Sequence, residues 1–179
     1  MAKNRYKINE DFVIIYLDRK DGSVLETVID IADFDKILGY KYKWYAKYDP
    51  NTNGYYVYST VYNGSPKRGF KNTTVKLNKY ILDYTGSQEI DHIDHNTLNN
   101  RKHNLRIALF SENSKHRKDK NSNNKSGYRN VCFINGWYRI QLQVDGKNHR
   151  FSEKFENPEE ANEFAKAMRQ TYYGAYSGK

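Results

Sequence analysis

The chain has 179 residues, of which 37% are hydrophobic, 28% charged and 15% aromatic, with tyrosine at seventeen positions. That aromatic content excludes a disordered protein, and the length allows one ordinary domain or two or three small ones. A net charge of +9 and a pI near 9.4 point to a polyanionic partner, nucleic acid first.

Residues 1–74 read as a small antiparallel β region. Short alternating runs, DFVIIYLD, GSVLETVID and GYYVYSTVYN, are separated by Asp-Gly, Asn-Gly and Gly-Ser-Pro turns. IADFDKILGY interrupts them with a helical turn or two, and KYKWYAKYD resumes the strand pattern. Its tyrosines read as half-buried strand residues, with no base stacking assigned to them. From Val75, VKLNKYILDYTG carries apolar residues at Leu77, Tyr80, Ile81 and Tyr84 and predicts a short helix closed by Gly86.

EIDHIDHNTLNNRKHNLRI, Glu89 to Ile107, follows. It is too polar for a core strand and too rich in Asn for a good helix, because short amides compete with the backbone for hydrogen bonds. NLRIAL reads as a returning strand, and FSENSKHRK as a short basic helix with Ser111 at its N-cap.

This segment suits phosphodiester hydrolysis, which needs an activated water, charge neutralisation and a rigid support. Asp91 offers a hard oxygen to a magnesium-like cation, and His92 an imidazole able to take a proton near neutral pH. Neighbours on one strand point to opposite faces, so the two serve one site only where the strand bends into the loop. Asn104 is placed to fix one nitrogen of the imidazole, and Asn113 to give the cation a second protein ligand. His95 and His103 read as exposed or phosphate-touching loop residues, and His116 and His149 as aids to DNA binding. With Cys132 as the sole cysteine, an intramolecular disulfide and a cysteine-based zinc knuckle are excluded; hard-cation chemistry is better supported than a His/Asp zinc site.

KDKNSNNKSG, residues 118–127, has no apolar side chain and reads as a basic linker, with Lys115, Arg117, Lys118 and Lys120 as phosphate contacts. Residues 128–176 then form a new module. The strands YRNVCF, GWYRIQLQV and NHRFSEK are joined by Asn-Gly and Asp-Gly turns, and PEEANEFAKAMRQTYYG forms a helix. Ala161, Phe164, Ala165, Met168 and Tyr172 make its apolar face. In the second strand Tyr138, Ile140, Leu142 and Val144 face the helix, leaving Trp137, Arg139, Gln141 and Gln143 for a groove of DNA.

The order and spacing of Asp91-His92, Asn104 and Asn113 resemble the HNH endonucleases with a ββα-metal fold, and DHIDHNTLNNRKHNLR is similar to the corresponding phrase of phage and intron-associated homing endonucleases. The resemblance implies a nuclease core over residues 75–117 in which His92 is the general base, Asn104 orients it, and Asp91 and Asn113 hold one Mg2+ or Mn2+. Many relatives carry a His-Arg pair where this chain has Asn78-Lys79, and other branches use His where Asn113 stands. The C-terminal module resembles the Apetala-two/ERF DNA-binding domain through SGYRNV, GWYRIQLQV, FSEKF and PEEANEFA. That likeness implies a sheet in the major groove, with Arg129, Arg139, Gln141, Gln143 and Arg150 as contact candidates.

The expectation is an α+β, metal-dependent endonuclease of double-stranded DNA, monomeric or weakly dimeric, with no membrane or protein partner. It would work inside a cell, in the bacterial host of a phage or mobile element. The alternative is a non-catalytic, sequence-specific DNA-binding regulator with a degenerate nuclease fold; an RNA-binding module is a weaker third, since the sheet lacks paired stacking aromatics.

Overall fold

The computed structural model of the chain describes residues 3–64, 71–116, 120–121 and 123–178. It is an α+β protein of small antiparallel sheets, and it divides into two compact units at Ala108/Leu109.

In the first unit, β1 (Tyr6–Ile8), β2 (Phe12–Asp18) and β3 (Val24–Asp30) form an antiparallel meander. Alternation in β2 buries Val13, Ile15 and Leu17, and in β3 it buries Thr27 and Ile29. A 3-10 turn (Ile31–Asp33) and helix α1 (Phe34–Gly39) lead to a second sheet of β4 (Trp44–Asp49), β5 (Gly54–Val61) and β6 (Thr73–Lys76). Helix α2 (Leu77–Ile81) precedes the β7 (Glu89–His92) and β8 (Leu105–Ala108) ladder.

Helix α2 is shorter than its apolar spacing predicts. Val75 and Lys76 complete β6 instead, and the chain leaves the helix at Asp83, whose φ of 50° is left-handed. The Asp83 and Tyr84 N–H groups donate to Tyr80 O and Lys79 O, so Asp83 closes the helix where Gly86 was expected to.

One apolar cluster joins all of these elements: Val13, Leu17 and Ile29 from the first sheet, Trp44 and Val57 from the second, Leu77 and Ile81 from α2, Ile90 and Leu105 from the ladder. Burying such an aliphatic side chain contributes roughly 1.5–3 kcal/mol. The N-terminal β region and the β7–β8 ladder therefore fold as one body, not as the separate 1–74 and 75–117 segments that sequence alone suggests.

The second unit opens with α3 (Phe110–His116). Glu112 caps it, accepting the Leu109 N–H at 2.7 Å, so the cap is not Ser111. The expected linker residues Asn124 and Ser126 are built into the module: Asn124 Nδ2 donates to Tyr128 O and Val131 O, each at 2.9 Å, and Ser126 Oγ to Val131 O at 2.8 Å. Strands β9 (Val131–Ile134), β10 (Trp137–Val144) and β11 (Lys147–Arg150) follow in the order β11-β10-β9. Positive φ at both Asn135-Gly136 and Asp145-Gly146 gives the tight turns that these dipeptides favour.

Helix α4 (Pro158–Tyr173) starts at Asn157, whose side chain accepts the Glu159 N–H at 2.8 Å. It lays Ala161, Phe164, Ala165 and Met168 on Ile140 and Leu142. Tyr173, not Tyr172, closes this face: its hydroxyl donates to Gln143 O at 3.0 Å, while Tyr172 is exposed. No helix among the described residues is long and apolar enough to cross a membrane.

Candidate active site and nucleic-acid interface

Strand β7 is buried along most of its length. Ile90, Asp91 and His92 are each less than a tenth exposed. The ladder pairs Asp91 with Arg106 and His92 with Leu105, and the Ile93 N–H still donates to Asn104 O. The pair stands at the end of the strand, with the turn beginning at Ile93, but the ladder register runs through His92, so strand alternation puts the two side chains on opposite faces.

On one face Arg106 holds Asp91, with Nε at 2.8 Å and Nη2 at 2.7 Å from Oδ2. On the other face His92, 4% exposed, has Nε2 at 3.3 Å from Asn100 Oδ1, and its ring meets the edge of Tyr56 at 6.1 Å. Burial pushes the His92 imidazole below its ordinary value of 6.5, and this outweighs the Asn100 hydrogen bond and the carboxylates of Asp94 and Asp91. The ring is therefore neutral at pH 7, the form in which a histidine acts as a base.

Asn104 does not touch the imidazole with its amide. Its Oδ1 accepts the Asp94 N–H at 2.9 Å, and its Nδ2 donates to Asp94 Oδ1 at 2.9 Å and to Asn99 O at 2.8 Å. It locks the connection between β7 and β8, while Asn100, which sequence reasoning passed over, holds the ring. Asn100 Nδ2 in turn reaches Thr27 Oγ1 at 2.9 Å. The signal for Thr27 was present: it is a hydroxyl on the face of Leu25 and Ile29 in VLETVID, where the period asks for an apolar residue.

The same connection is fastened by charge to the end of β3 and to the 3-10 turn that follows it. Arg101 pairs with Asp30 at 2.8 Å, and Lys102 with Asp33 at 2.7 Å. His95 sits half-buried in the turn at φ 63°, and His103 is exposed.

Asn113 belongs to α3 in the second unit, half-buried, with its N–H donating to Leu109 O. The described residues bring together no cluster of three or more His, Cys, Asp or Glu side chains suited to a metal. The expected donor set, one carboxylate and one amide oxygen completed by water and phosphate, suits a hard cation such as Mg2+. A cation at Asp91 would share that carboxylate with Arg106.

The outer face of the second sheet reaches the same region. Tyr45 and Tyr58 stack across β4 and β5, and Lys47 and Lys76 lie over Tyr58 and Tyr56. These tyrosines are part-exposed, as expected of strand residues.

In the second unit the register pairs Arg139 with Cys132, Gln141 with Arg150 and Gln143 with Asn148. With Tyr138, Ile140, Leu142 and Val144 turned to α4, one sheet face carries Trp137, Arg139, Gln141, Gln143 and Arg150. Arg139 Nε is buried there and meets no acceptor among the described residues. A cleft of about 760 Å³ borders the sheet, lined by Asn123, Asn130, Tyr138, Gln141, Leu142 and Asn148.

Other expected contacts lie elsewhere. Arg129 is buried, donating to Lys115 O at 2.5 Å and Ser177 O at 3.3 Å while its own carbonyl accepts Arg169 Nη1, so the structure gives it the place of an internal brace. Lys115 packs over Tyr173 and lies 3.7 Å from Asp145. Lys120 is exposed and bonds Asn124 O, and Arg117 and Lys118 fall outside the described residues. His116 is buried beside Tyr176, and His149 sits against Tyr172 of α4, so neither lies on the polar sheet face.

Compared with known proteins, the chain matches no family model, no curated protein and no solved structure.

Proposed function

We infer that the chain is a metal-dependent endonuclease of double-stranded DNA, of the HNH type. The observation that carries this reading is His92: a buried, neutral imidazole with one nitrogen engaged by Asn100, on the strand that also bears Asp91. In-line hydrolysis places the attacking water and the leaving oxygen on opposite sides of phosphorus.

His92 would take the proton from the attacking water. Asp91 is the residue of this unit that would hold one Mg2+ or Mn2+, which would supply charge neutralisation at the phosphate and leaving oxygen. Arg106 would orient the Asp91 carboxylate, and Asn104 would keep the β7–β8 connection rigid. Arg139, Gln141, Gln143 and Arg150 present donors and acceptors on one sheet face, suited to phosphates and base edges in a groove.

One arrangement favours a second reading, a non-catalytic DNA-binding protein: Arg106 already pairs with Asp91, and His92 keeps only 4% of its surface open. A randomised duplex library separates the two. The nuclease reading predicts cut ends that appear with Mg2+ or Mn2+ and vanish with EDTA. Enrichment of bound but uncut sequences under the same metals would favour the second reading.

A further inference from the structure

We propose that Asn100 and Thr27 are positioning residues for His92, fixing its ring and its tautomer so that the hydrogen stays on Nε2 and the lone pair on Nδ1. The inference rests on the reading of His92 as the base and adds the means by which the N-terminal sheet serves it.

The directions of the hydrogen bonds follow from the groups involved. Leu98 O can only accept, so Thr27 Oγ1, 2.7 Å away, spends its one hydrogen there. Thr27 must then accept from Asn100, which identifies the amide nitrogen as the atom at 2.9 Å. The same nitrogen points to Thr97 O at 3.5 Å, where an amide oxygen would be repelled. The other end of the amide, at 3.3 Å from His92 Nε2, is therefore its oxygen. An oxygen without hydrogen requires one on Nε2, and a neutral imidazole has only one to place.

Water does not compete for these bonds. Thr27 is 0%, Asn100 2% and His92 4% exposed. The relay is anchored by backbone as well: Val28 N–H donates to Leu98 O at 3.0 Å and Asn100 N–H to Val28 O at 2.8 Å, a short parallel bridge between β3 and the loop. Thr27 and Asn100 are 73 positions apart, and this bridge brings them together. A buried hydroxyl in an apolar layer costs stability unless bonded, and here its bonds end on the imidazole.

The test is a long-range proton–nitrogen NMR spectrum of the full chain with 15N-labelled histidine, at a pH where the ring is neutral, with His92 assigned from the signals lost in His92→Gln. The native spectrum should show Nε2–H. In Asn100→Leu, of similar size and without an acceptor, the two ring nitrogens should average. Thr27→Val should move the same way, and Thr27→Ser should keep the native pattern. If Asn100→Leu fails to fold, the Thr27 pair carries the same expectation.

An even mixture of tautomers halves the competent ring, so turnover should fall about twofold from this cause alone. A native Nδ1–H spectrum, or an Nε2–H spectrum unchanged in folded Asn100→Leu or in Thr27→Val, overturns the proposal whether or not the chain cuts DNA. Where the spectra behave as stated and no DNA is cut, the relay stands and the failure counts against the base.

Discussion

Arg106 converges on Asp91 with two nitrogens, at 2.7 and 2.8 Å from the same carboxylate oxygen, and both side chains are largely buried. Asp91 is therefore a structural partner as well as the expected metal ligand. Removing one member of a buried pair costs about 3–5 kcal/mol, whereas replacing both with apolar residues is far milder. Asp91→Ala should lower the urea midpoint strongly, and adding Arg106→Leu should recover much of it. A midpoint unaffected by Asp91→Ala would show that the pair is not formed.

Asn104→Ala removes three hydrogen bonds that close the β7–β8 connection. Each net bond is modest, and the loss should total about 2 kcal/mol. Stability and turnover should fall together. An unchanged midpoint with reduced turnover would return Asn104 to a role at the imidazole itself.

Two carboxylates link acid stability to the same loop. Burial raises the pKa of Asp30, but the Arg101 hydrogen bond and the Lys102 N–H outweigh it and hold the group below its ordinary 3.8. Burial likewise raises Asp94, and Asn99, the Asn96 N–H and Asn104 hold it below the same value. As pH falls, the unfolded chain binds protons at these groups before the folded one does. Their contribution is full above the ordinary carboxylate range and is lost as pH drops through 3.8 toward the depressed values. The urea midpoint should therefore decline in that window, and less steeply in Asp30→Asn. An identical slope in the variant would contradict the assignment.

Arg129 and Arg139 should behave oppositely. Arg129→Ala should lower the unfolding midpoint and leave the duplex affinity of the folded protein nearly unchanged, because the side chain braces backbone carbonyls. Arg139→Ala should keep the midpoint, weaken duplex binding by roughly 1–3 kcal/mol, and reduce the salt slope by about one if it meets phosphate. Equal affinity of native and Arg139→Ala chains would remove the sheet face from the interface.

What the sequence made legible was local. Asn135-Gly136 and Asp145-Gly146 announce their turns because left-handed φ is cheap for these residues, and the alternation along β10 separates Tyr138 and Ile140 from Arg139 and Gln141. What it hid depends on distant partners. Asn99, Asn100 and Asn104 offer the same chemistry, and only Thr27, on another sheet, selects Asn100 for His92. Arg129 and Arg139 stand in similarly basic text, and only packing with Arg169 and Ser177 buries the first. The Asp91-His92 ladder is likewise set by register with β8, which no local pattern states.

The most direct test of the central claim is conversion of supercoiled plasmid to nicked or linear form with Mg2+ or Mn2+, comparing the native chain with His92→Ala and with an EDTA control. The native chain should cut in a metal-dependent way, and a folded His92→Ala that still binds the plasmid should not. Equal cutting by both chains would contradict that claim.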